Sequence, residues 1–82
     1  MFVAKINVSL KESVLDPQGQ TVLRTLNDQG RTALKDVRVG KYIEVKLDAK
    51  SIDEANSMAK EICESVLVNQ VIETYQFVVE AV

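Results

Sequence analysis

The apolar residues of this chain change spacing along its length, from every second residue to every third or fourth and back again, twice over. Residues 2–10 alternate: Phe2, Ala4, Ile6, Val8 and Leu10 point one way, Lys5, Asn7 and Ser9 the other. A period of two with one apolar face predicts a half-buried strand, with Val3 the exception on the outer face. Lys11–Leu15 keeps no period and reads as a loop. Asp16-Pro17 is a helix start: Asp at the N-cap accepts backbone N–H bonds, and Pro at the first helical position gives up no bond it could have made. Val22, Leu23 and Leu26 follow at helical spacing, and Gly30 is placed to end the helix. The helix is short and has Gly19 near its start, so packing must hold it.

Residues 35–48 alternate again. Val37 and Val39 interleave with Asp36 and Arg38, and Ile43, Val45 and Leu47 with Tyr42, Glu44 and Lys46. Gly40-Lys41 between them suits a two-residue hairpin turn with Gly at positive φ, or one bent strand with Gly40 at a bulge. Ser51-Ile52-Asp53-Glu54 is a capping box. Ala55, Met58, Ala59, Ile62, Cys63 and Val66 then recur at helical intervals, opposite Asp53, Asn56, Lys60, Glu61 and Glu64. Asn69 can close this helix in the left-handed region. The last segment, Val71–Val82, is a strand whose two sets are Val71, Glu73, Tyr75, Phe77, Val79 and Ile72, Thr74, Gln76, Val78, Val82. Neither set is cleanly polar, which predicts cover on both sides.

The order β-α-β-β-α-β is the split βαβ, ferredoxin-like arrangement. It predicts an α+β fold, a four-stranded antiparallel sheet with two helices on one face. Two helices cover only one side, so the doubly apolar last strand points to self-association. Tyr75, Phe77 and Val79 are its candidate contacts.

Length and composition narrow the function. Eighty-two residues make one domain, 1–82, with a thin core. A net charge of −2 argues against phosphate-backbone binding. With no His and a single Cys, the usual structural zinc sites, Cys–His and serine-triad catalysis, and an internal disulfide are all excluded. Cys63 lies within a helical apolar stripe and reads as a small buried hydrophobe. The N-terminus lacks a basic leader and a continuous apolar core, and no apolar run reaches the ~18 residues of a membrane span. The cytosol is the expected compartment. Glu61 and Glu64, three apart, read as a solvated face. Tyr42 and Tyr75 could lie on sheet strands as in RNA-binding domains of this element order, but the aromatic-rich RNA-binding motif is missing. A dimeric small-molecule-sensing domain of this fold remains the alternative.

Val37-Arg38-Val39-Gly40-Lys41-Tyr42-Ile43-Glu44 stands out, with two basic residues and an aromatic around a Gly, and Arg and Tyr are favoured interface anchors. This stretch resembles a signature of the PurS family, the small subunit of phosphoribosylformylglycinamidine synthase. Leu10-Lys11-Glu12-Ser13-Val14-Leu15-Asp16-Pro17-Gln18-Gly19 resembles another. Asn69-Gln70-Val71-Ile72-Glu73-Thr74-Tyr75 resembles a third, with Gln70 where the family commonly has Pro. The resemblance covers the whole chain. It implies a subunit without catalytic residues or cofactors of its own, forming a homodimer or tetramer. Its implied partners are a glutaminase subunit that releases ammonia and a large synthetase subunit that uses ATP and Mg²⁺. The complex would convert formylglycinamide ribonucleotide, glutamine and ATP to formylglycinamidine ribonucleotide, with the small subunit bridging the other two and assisting ammonia transfer. Candidate partner contacts are Lys11, Asp16, Gln18, Arg38, Lys41 and Tyr42.

Overall fold

The structure is a computed structural model describing residues 1–82. Its elements are β1 (Phe2–Leu10), α1 (Pro17–Asp28), β2 (Lys41–Leu47), α2 (Ile52–Ile62) and β3 (Glu73–Ala81), with a π-helical turn over Cys63–Leu67. The three strands form one antiparallel sheet in the order β2-β1-β3. Ile6 lies opposite Ile43 on one side and Phe77 on the other. The alternation of β1 sets the faces. Ala4, Ile6 and Val8 are buried under α2, and Asn7 and Ser9 are exposed.

The core joins Ala4, Ile6, Val8 and Leu47 from the sheet to Ala55, Ala59 and Cys63 on α2 and the turn after it, with Val68 closing one end. Ala55 and Ala59 have no bulk to hold the helix off, so α2 lies close on the strands. Ser51 caps α2 by accepting a hydrogen bond from Glu54 N at 3.2 Å, and Asp53 and Glu54 complement the positive end of the helix dipole. Cys63 is fully buried, as its place in the stripe predicts.

Four expectations change. First, the sheet has three strands, not four. Residues 34–40 form no regular element and pair with no strand; the Val39 N–H goes instead to the Asp16 carboxylate at 2.8 Å. Neither the hairpin nor the bulged strand forms at Gly40, whose φ is not positive; Gly30 alone has a positive φ, of 89°. Gly40 is small for another reason: a Cβ there would fall on the Val8 carbonyl oxygen. Second, α1 does not pack on the sheet. None of its side chains touches the core, and it projects with the returning segment 29–40 as an arm. The Cα radius of gyration is 16.3 Å, with extents of 52 × 27 × 14 Å. A compact chain of this length would have a radius of about 12 Å.

Third, the π turn adds a residue to the last turn of α2 and rotates the residues after it. Val66 swings out to 79% exposure while Leu67 turns in. Val68 N donates to Cys63 O at 3.0 Å, and Asn69 does not adopt left-handed backbone. Its side chain instead accepts from Val71 N at 3.1 Å, an Asx turn that starts the approach to β3. Fourth, β3 runs from Glu73 to Ala81, and its outer side carries Thr74, Gln76, Val78 and Glu80, of which only Val78 is apolar. That sheet face is polar: Lys5 Nζ meets Glu80 at 3.0 Å and Ser9 Oγ meets Thr74 Oγ1 at 3.3 Å. Exposed apolar side chains are spread over the molecule, Val22 and Leu34 on the arm and Val66, Val71 and Val78 elsewhere among them.

Candidate partner-docking site

The arm has two legs, α1 going out and residues 29–40 coming back. At the tip Gly30 N donates to Asn27 O and Arg31 N to Leu26 O, a Schellman closure with Gly30 in the left-handed position. At the base the legs are tied by Asp16. One carboxylate oxygen accepts from Gly19 N at 2.9 Å, capping α1, and the other accepts from Val39 N at 2.8 Å. Asp16 is 3% exposed. The Gly19 N–H and then the Val39 N–H, with the Arg38 charge adding, hold its carboxyl below the usual carboxylate range.

Arg38 completes the tie. Its Nη2 donates to Lys11 O at 2.8 Å and Val14 O at 3.1 Å, binding the return leg to the loop before α1. Gly19 lies where the legs touch, and a Cβ on it would strike the Val37 carbonyl oxygen. Two stretches some twenty residues apart in sequence thus form one latch.

Beside the latch is a cleft of about 420 Å³ whose lining includes Ser9, Asp16, Gln18, Gly40, Lys41 and Glu73. Lys41 Nζ lies 3.3 Å from Glu73, and the other Glu73 oxygen accepts from Asn69 N at 2.8 Å. The Asn69 N–H, reinforced by Lys41, lowers the Glu73 pKa. The charged groups of the cleft are therefore engaged with the chain itself. The arrangement builds shape and holds an arm in place.

The structure brings Lys11, Asp16, Gln18, Arg38 and Lys41 together at the arm base. Tyr42 does not join them. It lies on the polar sheet face across from Asn7, 56% exposed. Tyr75, Phe77 and Val79 lie on the core side of β3, half-buried against the cluster. The Tyr75 and Phe77 rings stack at 6.2 Å. Tyr75 OH donates to Glu64 at 2.8 Å, which with burial raises the tyrosine pKa. Reading by residue type missed Gly19, Gly40 and Glu73. The glycines carry no chemistry to flag, and Glu73 is one carboxylate among twelve acidic residues.

Asp16 gives the latch a pH dependence of known sign. Its folded pKa is depressed, so its contribution is complete above the unfolded value near 4 and is lost as pH falls through the folded value. Asp16→Asn should lower Tm by about 5–10 °C at pH 7. Its deficit relative to the parent should shrink below pH 4. Thermal melts by circular dichroism at pH 7 and pH 3 check this, and an equal deficit at both would rule the carboxylate out as the tie.

The profile of the family described as phosphoribosylformylglycinamidine (FGAM) synthase, PurS, matches residues 3–81. The Bacillus subtilis subunit PurS of phosphoribosylformylglycinamidine synthase is 46% identical over 82 residues, all of this chain and 96% of that protein. The crystal structure of Bacillus subtilis PurS superposes with a TM-score of 0.86, covering 99% of this chain and 100% of that one. That of Methanocaldococcus jannaschii PurS, described as one of the subunits of formylglycinamide ribonucleotide amidotransferase, superposes with 0.89 at 32% identity, covering 100% and 99%. A chain in the Thermotoga maritima PurLQS structure superposes with 0.88 at 33% identity, covering 96% of each. With a profile that spans nearly the whole chain and a relative 46% identical over all of it, this chain belongs to the PurS family of phosphoribosylformylglycinamidine synthase subunits.

Proposed function

We propose that this chain is the small, non-catalytic subunit of a phosphoribosylformylglycinamidine synthase, a glutamine-using, ATP-dependent ligase complex of purine biosynthesis. In this reading it works in the cytosol, as a homodimer or tetramer, held between a glutaminase subunit and a large synthetase subunit that binds ATP and Mg²⁺. The observation that carries the reading is the latched arm. The two stretches of strongest family resemblance meet in space at Asp16, Gly19, Arg38 and Val39, and what they build is a rigid projection rather than a reaction centre. Ammonia moving between two active sites must escape protonation and solvent, so the subunits around it need fixed relative positions. A stiff arm tied at both ends suits that task. The small-molecule sensor reading gains nothing from the cleft, whose Lys41 and Glu73 already pair with each other.

The test is reconstitution. Mixed with the synthetase and glutaminase subunits, glutamine, ADP and Mg²⁺, the chain should co-elute as one complex on gel filtration. Separate elution under those conditions would overturn the assignment. Arg38→Glu should weaken assembly by about tenfold or more, by breaking the tie to Lys11 and Val14 and reversing a charge at the arm base. Titration by sedimentation velocity measures this, with circular dichroism to show that the sheet is retained. Undiminished assembly would remove Arg38 from the docking surface.

A further inference from the structure

Two features at the end of α2 cost the fold something and return nothing to it. The first is the π turn over Cys63–Leu67. A regular helix would keep Val66 on the buried stripe of Cys63, but the turn sets it in water. Such π turns recur at functional sites. The second is charge. Residues 61–82 carry four acidic side chains and no basic one. Glu73 and Glu80 are answered by Lys41 and Lys5, whereas no cation lies within 4 Å of Glu61 or Glu64. Both of these stand at the negative end of the helix dipole, where only Lys60 has the favoured sign.

The next turn, 69–72, is held against this one. Gln70 Nε2 donates to Glu64 O at 3.3 Å, and Tyr75 OH holds the Glu64 carboxylate. Lys11 N donates to Ile72 O at 2.9 Å, which fixes the turn to the loop that Arg38 grips. Val71, at its crest, is 80% exposed. Beside it a notch of about 280 Å³ opens between Lys11, Gln70, Thr74 and Tyr75. Two bare valines thus sit on neighbouring, internally bonded turns, next to a notch that can take one long side chain.

We infer that these two turns form a docking surface for a different protein, one that presents apolar side chains edged by lysine or arginine. This rests on the reading of the chain as a subunit of a larger assembly, and it adds where one partner sits and what its surface carries. Charge selects the occupant. A two-fold contact of the patch with its own copy would set Glu61 and Glu64 against the same carboxylates, and like charges across an interface are repulsive. A basic border on a different chain answers both, while Val66 and Val71 supply the apolar centre that interfaces bury.

The test uses the parent chain and a Val66→Asp/Val71→Asp variant, each titrated with the synthetase and glutaminase subunits by sedimentation velocity. Both valines are exposed, so the variant should keep the parent's Tm and its own self-association. Its dissociation constant for the other subunits should rise at least tenfold. Glu61→Lys, which touches neither valine, should raise that constant at least threefold at low salt, with the gap closing as salt is added. A parent that joins neither subunit overturns the reading of the chain as a subunit. A parent that assembles while the double variant assembles as tightly overturns only the patch. So does a loss of assembly matched by a loss of Tm or of self-association, since the valines would then serve the fold or a contact between copies. An unchanged constant for Glu61→Lys overturns the basic border.

Discussion

Gly19→Ala is expected to lower Tm by about 15 °C and to cost the chain its place in the complex. The added methyl would land on the Val37 carbonyl oxygen and 2.8 Å from Asp16 Oδ2. Backbone on the return leg cannot turn aside as a flexible side chain could. Relief requires the legs to part, and parting them lengthens the Gly19 N–H and Val39 N–H bonds that Asp16 accepts. Overpacking of this kind costs about 3 kcal/mol, and a domain of this size loses roughly 4–8 °C per kcal/mol. In a helix, Gly→Ala ordinarily stabilises by up to ~1 kcal/mol, so the prediction sets a steric penalty against a propensity gain. Thermal melts with complex formation by gel filtration decide it. A variant as stable as the parent would show that the legs do not meet at Gly19.

Ile6→Ala is the second large effect. Ile6 is fully buried at the centre of the central strand, flanked by Ile43 and Phe77 in register and covered by α2. Truncating such a residue costs about 3–4 kcal/mol in lost burial and cavity formation. A small domain has roughly 5–10 kcal/mol in all, and the core of this one is eight residues. Urea denaturation should show the midpoint falling by about half with its slope unchanged. A shift below a quarter would mean that the sheet and α2 collapse into the space. Val66→Ala is the contrast: at 79% exposure it should change little, although spacing alone puts Val66 on the same stripe as Cys63.

That contrast shows where sequence reading succeeds. Asp16-Pro17, Ser51-Glu54 and the alternation of residues 2–10 are legible because a cap or a pleat depends on neighbours a few residues away. Val66 is misread because one extra residue in the π turn breaks a phase that spacing treats as continuous. Val37 and Val39 do alternate and are half-buried. Alternation reports which way side chains face, however, and not what the backbone bonds. The Val39 N–H goes to a carboxylate 23 residues earlier, and no local rule anticipates that. Gly40 is required for space and not for φ, and the two requirements look alike in sequence. The candidate site was found in two halves, Lys11–Gln18 and Arg38–Tyr42. Their union at the latch is a tertiary fact, and so is the exclusion of Tyr42, which follows from strand register.

The register of the sheet also bears on how the molecule comes into being. β1, which precedes the other strands and helices described, is the central strand, and its partner β3 follows them all, with Phe2 opposite Ala81. The sheet therefore has a high contact order, which slows folding. During synthesis β1 waits with both edges unpaired while α1, the arm, β2 and α2 emerge. The sheet cannot be completed until β3 is free of the ribosome. Folding thus waits for the third strand, and any joining to other proteins through folded surfaces comes later still. Until then an apolar strand lies open to aggregation.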